Sequence, residues 1–190
     1  MTEDAQDDNA LAGRARDGDR GAFAELVRRH QDRVFRFLLR LTGSRDDALD
    51  LAQDAFLRAW QALPGWRPEA KFGTWLFQIA RNAALDLLRR RGTVEVATEP
   101  AALPERSRRG DDPFVRLDGA QRVRLLERVL AELSPEHREI LLLREIEEMA
   151  YDEIAATLHL TEGTVKSRLA RARTALLERF RQLAGENGHD

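Results

Sequence analysis

Between Thr161 and Arg181 the chain sets six basic side chains against two acidic ones, and a surface of that kind binds polyanions. At helical spacing Val165, Leu169, Ala172 and Leu176 fall on one narrow apolar stripe that must be buried. The opposite face carries Gly163, Ser167, Ala170, Arg171 and Thr174, flanked by Thr164, Lys166 and Arg168. Small and polar residues let a helix sink into a major groove, where arginine and lysine reach base edges and phosphates. Thr164, Lys166, Ser167, Arg168 and Arg171 are therefore the candidate duplex readers. Arg173, Arg179 and Arg181 lie nearer the flanks and fit phosphate contacts or plain surface equally well.

A second concentration offers different chemistry. Trp60, Trp66, Phe72, Trp75 and Phe77 place five of the twelve aromatic residues within eighteen positions, among Arg67, Lys71, Arg81 and Arg89–Arg91. Aromatic faces stack on unpaired bases, for about 1–3 kcal/mol per base, while cations neutralise the backbone. Leu76, Ala80, Ala83 and Leu87 make the core side of the helix, with Arg81 and Asn82 off it; Trp75 and Phe77 fit core or nucleic acid equally. Catalysis has no comparable support. No Gly-rich phosphate loop, carboxylate pair, Ser/His/Asp order or metal-ligand spacing is present, so neither an enzyme nor a cofactor is expected. The absence of cysteine excludes disulfides and thiolate zinc sites. His30, His137, His159 and His189 are scattered and are expected at the surface rather than on a metal.

The elements that must position these groups are helical. Over 190 residues, 43% hydrophobic and 34% charged, apolar residues recur at helical spacing and no segment alternates as a strand. Asp19 is placed to cap a helix ending at Thr42-Gly43, and Ser44 with Asp47 resembles a capping box for the next, through Leu63. Pro64-Gly65 and Pro68 force a loop before a helix from about Phe72 to Arg91. Residues 93–118 hold Pro100, Pro104 and Pro113 without an apolar period and read as a linker. A third region starts near Gly119 with Val123, Leu126, Val129, Leu130 and Leu133, and Ser134-Pro135 marks a fresh helix start. From Tyr151 a short helix with Ile154, Ala155 and Leu158, a turn at His159-Leu160 and a helix capped by Thr161 compose a helix-turn-helix, within a unit from roughly Leu133 to Phe180. The expected fold is all-α: two small helical domains, 17–92 and 119–182, joined by the linker 93–118, with an acidic tail at 1–16 and a short tail at 183–190.

Net charge is −2, but its distribution is uneven. Residues 132–153 carry eight acidic side chains against two basic, directly before the basic stretch at 161–181. Acid therefore masks a locally positive surface. No apolar run reaches membrane-spanning length and the N-terminus lacks a signal-peptide pattern, so a cytoplasmic protein without membrane insertion is expected.

Three blocks carry a family resemblance: D-A-L-D-L-A-Q-D-A-F-L-R-A-W-Q-A from Asp47, F-G-T-W-L-F-Q-I-A-R-N-A-A-L-D-L-L-R-R-R from Phe72, and Y-D-E-I-A…G-T-V-K-S-R from Tyr151. In this order, from about Asp17 to Phe180, they resemble the extracytoplasmic-function (group 4) sigma factors of bacterial RNA polymerase. The resemblance implies a promoter-specificity subunit. The helix at Asp47–Leu63 would dock on the β′ clamp of core polymerase through Asp50, Gln53, Asp54 and Leu57, although Leu49 departs from the acidic residue common there. The segment Pro64–Arg91 would capture the melted −10 strand with Lys71, Trp75, Arg81, Asn82, Arg89 and Arg90, the Asn82 amide near a flipped base. The helix-turn-helix would read the −35 element, the linker would pass through the polymerase near the RNA path, and the partners would be the β′ clamp and β subunits of core polymerase. Control would come from a separate anti-sigma factor. The competing reading is a stand-alone helix-turn-helix regulator with an N-terminal dimerisation or sensor module, binding palindromic sites without polymerase.

Overall fold

The computed structural model describes residues 3–69, 71–92 and 119–186. All regular structure among them is helical: α1 (Glu3–Arg16), α2 (Arg20–Thr42), α3 (Arg45–Ala62), α4 (Phe72–Arg90), α5 (Gly119–Glu132), α6 (Pro135–Leu141), α7 (Tyr151–Leu158) and α8 (Glu162–Glu186), with a 3-10 turn at Leu63–Gly65 and a π turn at Leu142–Ile146. The linker expected at 93–118 lies outside the described residues.

Local chemistry sets the boundaries. Asp19 caps α2 by accepting from the Ala22 N–H at 3.0 Å, and Gly43, at φ 72°, ends it in the left-handed region that glycine adopts without cost. Ser44 Oγ accepts from the Asp47 N–H at 3.3 Å, but the Asp47 carboxylate does not complete a capping box. It receives Arg91 Nη2 at 2.8 Å instead, tying the start of α3 to the end of α4 and holding the carboxyl below the usual aspartate range. Ser134 caps α6, with Pro135 as its first residue.

Helices α1–α4 bury Leu26, Phe37, Leu38, Leu41, Phe72, Leu76 and Phe77. Glu3–Arg16, read from sequence within a tail at 1–16, form α1, and its Leu11, Ala12 and Ala15 pack into this core. His30, expected at the surface, is also buried, its Nε2 2.8 Å from Asp8 Oδ2. Asp8 supplies a hydrogen-bond partner to Nε2, while the buried Nδ1 has none among the described residues. In the second group Ile140, Leu142, Leu143, Ile154, Val165, Leu169 and Ala172 are buried, and a smaller cluster of Leu125, Val129, Phe180 and Leu183 joins α5 to α8. Leu125, rather than the exposed Val123, faces inward in α5.

Arg138 holds the two groups together. Its guanidinium donates to the carbonyls of Leu130 (2.7 Å), Ala131 (2.6 Å) and Leu133 (3.1 Å) at the end of α5, and to Leu41 O (2.9 Å) near the end of α2. One cation thus serves the negative ends of two helices. Burial pulls its pKa below the ordinary arginine value. No helix among the described residues is long and apolar enough to cross a membrane.

Candidate nucleic-acid interface

The turn between α7 and α8 forms because His159, at φ 54°, ends α7 while its N–H donates to Ala155 O. Thr161 then caps α8, its hydroxyl accepting from the Thr164 N–H at 3.2 Å and lying 2.9 Å from the Thr164 hydroxyl. Val165, Leu169 and Ala172 are buried as a single stripe, with Leu176 half-buried beside them. Gly163, Lys166, Ala170 and Arg173 form the most exposed face. Lys166 Nζ sits 5.8 Å from the Tyr151 ring centroid, which fixes the cation at the mouth of the turn. Thr164, Ser167, Arg168 and Arg171 are half-buried on the flank toward α6, where Arg168 lies 3.9 Å from Glu136. Ser167 Oγ–H donates back to Thr164 O at 3.0 Å. Of the sequence-derived duplex readers Lys166 is thus fully presented, and the other four stand along one edge of that face.

The aromatic cluster is different from the sequence expectation. Trp66, Phe72 and Phe77 are core residues, and Phe77 meets Phe37 edge-on with centroids 5.3 Å apart. They cannot receive bases without unpacking the bundle. Trp60 and Trp75 remain half-buried, Trp60 against Phe23 and Trp75 against Phe72 at 5.8 Å. Periodicity alone could not separate these five rings, because aromatics at helical spacing serve cores and surfaces alike.

Along α4, Asn82, Arg89 and Arg90 are exposed, with Arg89 Nη1 2.8 Å from Asp86. Lys71 and Arg81 instead meet carboxylates of the C-terminal helices. Arg81 Nε and Nη2 donate to Glu139 at 2.8 and 3.1 Å, with the two side chains 12% and 2% exposed. Lys71 Nζ lies 2.9 Å from Glu153, which also accepts from Thr74 Oγ1 at 3.1 Å. Arg33 Nη2 lies 2.9 Å from Glu147, and Gln78 Nε2 lies 3.0 Å from His159 Nε2. The Lys71–Glu153 and Arg33–Glu147 pairs border a cleft of about 540 Å³ between the two groups, lined also by Phe77 and Glu148.

The electrostatics of the two flanking glutamates diverge. Burial raises the Glu153 carboxyl, but the Ala150 N–H, at 2.8 Å, and Lys71 outweigh it and hold the group below the ordinary glutamate value of 4.5. At Glu147 burial wins over Arg33, Arg36 and Arg40 and pushes the carboxyl up.

On α3, Asp50, Gln53 and Leu57 are exposed together, Leu57 by 56%, with Leu49 beside them at 42%. Asp54 stands at the margin, 2.7 Å from Arg58 Nη2. An apolar residue that open on a rim of amides and carboxylates suits a partner helix. No group of His, Asp and Glu suited to a metal occurs among the described residues.

Two family descriptions match the chain, Sigma-70 region 2 over residues 26–94 and Sigma-70, region 4 over residues 124–176. The chain is 36% identical over 162 residues to the ECF RNA polymerase sigma factor SigE of Mycolicibacterium smegmatis, covering 84% of this chain and 63% of that protein. It is 31% identical over 188 residues to the RNA polymerase sigma-H factor of Pseudomonas aeruginosa, covering 95% and 97%. Among solved structures, CnrH in complex with the cytosolic domain of CnrY superposes with a TM-score of 0.68 at 30% identity, over 90% of this chain and 96% of that one. The sigma factor RpoE of Bartonella quintana, in complex with the anti-sigma factor NepR, gives 0.64 at 26% identity, over 84% and 96%.

Proposed function

The chain belongs to the extracytoplasmic-function sigma factors, and on that premise we propose that it brings core RNA polymerase to promoters through two DNA grips and one docking face, without chemistry of its own. One observation carries this reading: a region 2 match and a region 4 match stand in order in one chain, each containing a helix with exposed polar groups suited to nucleic acid. A stand-alone regulator would need only the second. The proposed units are 17–92 and 119–182, with 93–118 joining them inside the polymerase.

Helix α8 reads the −35 duplex, with Lys166 and the flank Thr164, Ser167, Arg168 and Arg171 serving base edges and phosphates. Helix α4 holds the melted −10 strand. Asn82 offers an amide to a base edge, Arg89 and Arg90 meet phosphates, and Lys71, Trp75 and Arg81 complete the surface once the C-terminal helices move away. Asp50, Gln53, Asp54 and Leu57 dock on the β′ clamp. Because the two solved relatives are held by CnrY and by NepR, an anti-sigma protein is proposed as the regulator of this chain as well.

The test is reconstitution with core polymerase followed by run-off transcription. Arg171→Ala should lower output from promoters that need a −35 element while core binding persists. The double change of Asp54 and Leu57 to alanine should abolish core binding while the free protein's affinity for duplex stays the same. Loss of core binding in Arg171→Ala would overturn the assignment of roles, and transcription at full level from the double variant would remove the docking face.

A further inference from the structure

We infer that Asn9, in α1, is a positioning residue for promoter-strand capture: its amide ties Pro68, within the loop that leads into α4, to the first residue of that helix. The loop begins after the 3-10 turn Leu63–Gly65, is anchored by buried Trp66, and exposes Arg67, Pro68 and Glu69 before it reaches Lys71. At its far end Asn9 Oδ1 accepts from the Phe72 N–H at 2.8 Å, and within it Asn9 Nδ2 donates to Pro68 O at 3.2 Å. One side chain thus ties loop to helix, 59 and 63 residues away in sequence.

The first of these bonds performs a capping function. A helix start leaves its first N–H groups without partners, and the residue just before it normally supplies a side-chain acceptor. Lys71 occupies that place in α4 and makes no such bond. Asn9 provides the acceptor from another helix, so the direction in which α4 leaves the loop depends on where α1 sits. The neighbouring residue strengthens the coupling: Asp8 holds His30, whose ring lies 5.7 Å from Phe72 and against Gly73. A Cβ at Gly73 would meet His30 at 3.5 Å, an ordinary van der Waals contact. Helix α1, whose sequence suggests an acidic tail, therefore fixes the geometry of the segment that carries Lys71, Trp75, Arg81 and Asn82.

This inference rests on the reading of α4 as the strand-capture helix, and the experiment separates the two. Full-length protein carrying Asn9→Ala, Asn9→Asp or Asn82→Ala is bound to core polymerase. Two readouts are taken: affinity for a labelled single-stranded −10 oligonucleotide, and the ratio of run-off transcripts from two promoters that differ only in the −10 bases. Asn9→Asp keeps the acceptor for Phe72 N–H and loses the donor to Pro68, so it folds while releasing the loop. Asn9→Ala should weaken the oligonucleotide by about tenfold and flatten the promoter ratio, and Asn9→Asp, which keeps the cap on Phe72, should do both to a smaller extent, with core binding unchanged. A lower folded fraction alone would scale both transcripts equally and leave the ratio intact. If Asn82→Ala flattens the ratio and both Asn9 variants preserve it, the positioning role is wrong while the reading of α4 stands. If Asn82→Ala also leaves ratio and affinity intact, the reading of α4 falls and the inference falls with it.

Discussion

The same acidic segment faces two basic surfaces and treats them differently. Toward α8, Glu132 pairs with Arg179, Glu136 approaches Arg168 and Glu145 pairs with Arg173. These partners share one domain, and the Arg173 and Glu145 side chains are about half exposed, at 49% and 48%. Toward the N-terminal helices, Glu139 takes Arg81, Glu147 takes Arg33 and Glu153 takes Lys71. There the carboxylates are largely buried and the partners come from another domain. The first set trims the positive field of a surface that stays open. The second set engages Lys71 and Arg81 of the proposed strand-capture surface and leaves Asn82, Arg89 and Arg90 exposed. On the proposed roles, the face of α8 is open in this arrangement while Lys71 and Arg81 are engaged by the C-terminal helices.

The sharpest way to break this asymmetry is Glu139→Gln. Removing one partner of a buried pair leaves an uncompensated charge, at a cost of about 3–5 kcal/mol. Relief comes from separating the domains and hydrating Arg81. The chain has no cysteine, so cysteines placed at exposed Gln61 and Glu178 can carry a donor and an acceptor dye. Energy transfer between them should fall, and affinity of the free protein for a −10 oligonucleotide should rise. Unchanged transfer and affinity would show that the Glu139 pair does not hold the domains together.

Glu153→Gln should open the protein less, by about 1 kcal/mol, because Lys71 is partly exposed. The glutamine oxygen can still accept from the Ala150 N–H, while its amide N–H donates to the Thr74 hydroxyl. Its pH signature is distinct. With its folded value below 4.5, Glu153 contributes fully above that ordinary value and less as pH falls through the depressed one. Only the share due to Lys71 and Thr74 belongs to closure, because Ala150 lies in the same domain. Acid should therefore lower energy transfer in the native protein, and Glu153→Gln should lose that acid step. Glu147 has the opposite sign. Its raised value means that its contribution is present below 4.5 and is lost as pH rises through the raised value. Glu147→Gln should leave closure at neutral pH unchanged or slightly tighter, within about 1 kcal/mol, since the amide still accepts from Arg33 without a buried charge. A strong opening by Glu147→Gln would show that Arg33 outweighs desolvation.

How much of this asymmetry was visible in the sequence follows from the range of the interactions. The caps at Asp19, Ser44, Ser134 and Thr161 and the stripe Val165, Leu169, Ala172 depend on residues three or four apart, and the chain spells them out. The excess of acid over residues 132–153 was equally plain, but its partners lie 58, 79 and 114 residues away for Arg81, Thr74 and Arg33. No local pattern encodes such pairings. Helix α1 was hidden for another reason: it buries one leucine and two alanines, too little apolar surface to stand out among the acids around it. Trp75 and Phe77 were left open because aromatic rings suit a core and a stacking platform alike, and the burial of Trp66 and Phe72 was not read from the sequence.

The smallest effect is expected at Glu145→Gln, which sharpens the comparison from the α8 side. Its pair with Arg173 is short, at 2.6 Å, but both side chains are well hydrated, so holding them in one geometry offsets most of the Coulomb gain. Stability should change by no more than about 0–1 kcal/mol, and energy transfer between the domain labels should stay at the native value. What should change is the field over the duplex-reading face. Arg173 lies in the exposed stripe with Lys166, and releasing it adds up to one phosphate neutralisation. The slope of log affinity against log salt should then steepen by about 0.9 on duplex DNA. A domain opening in this variant would mean that the in-domain and cross-domain glutamates act as one network. An unchanged salt slope would mean that Arg173 stays away from the backbone even when its partner is neutral.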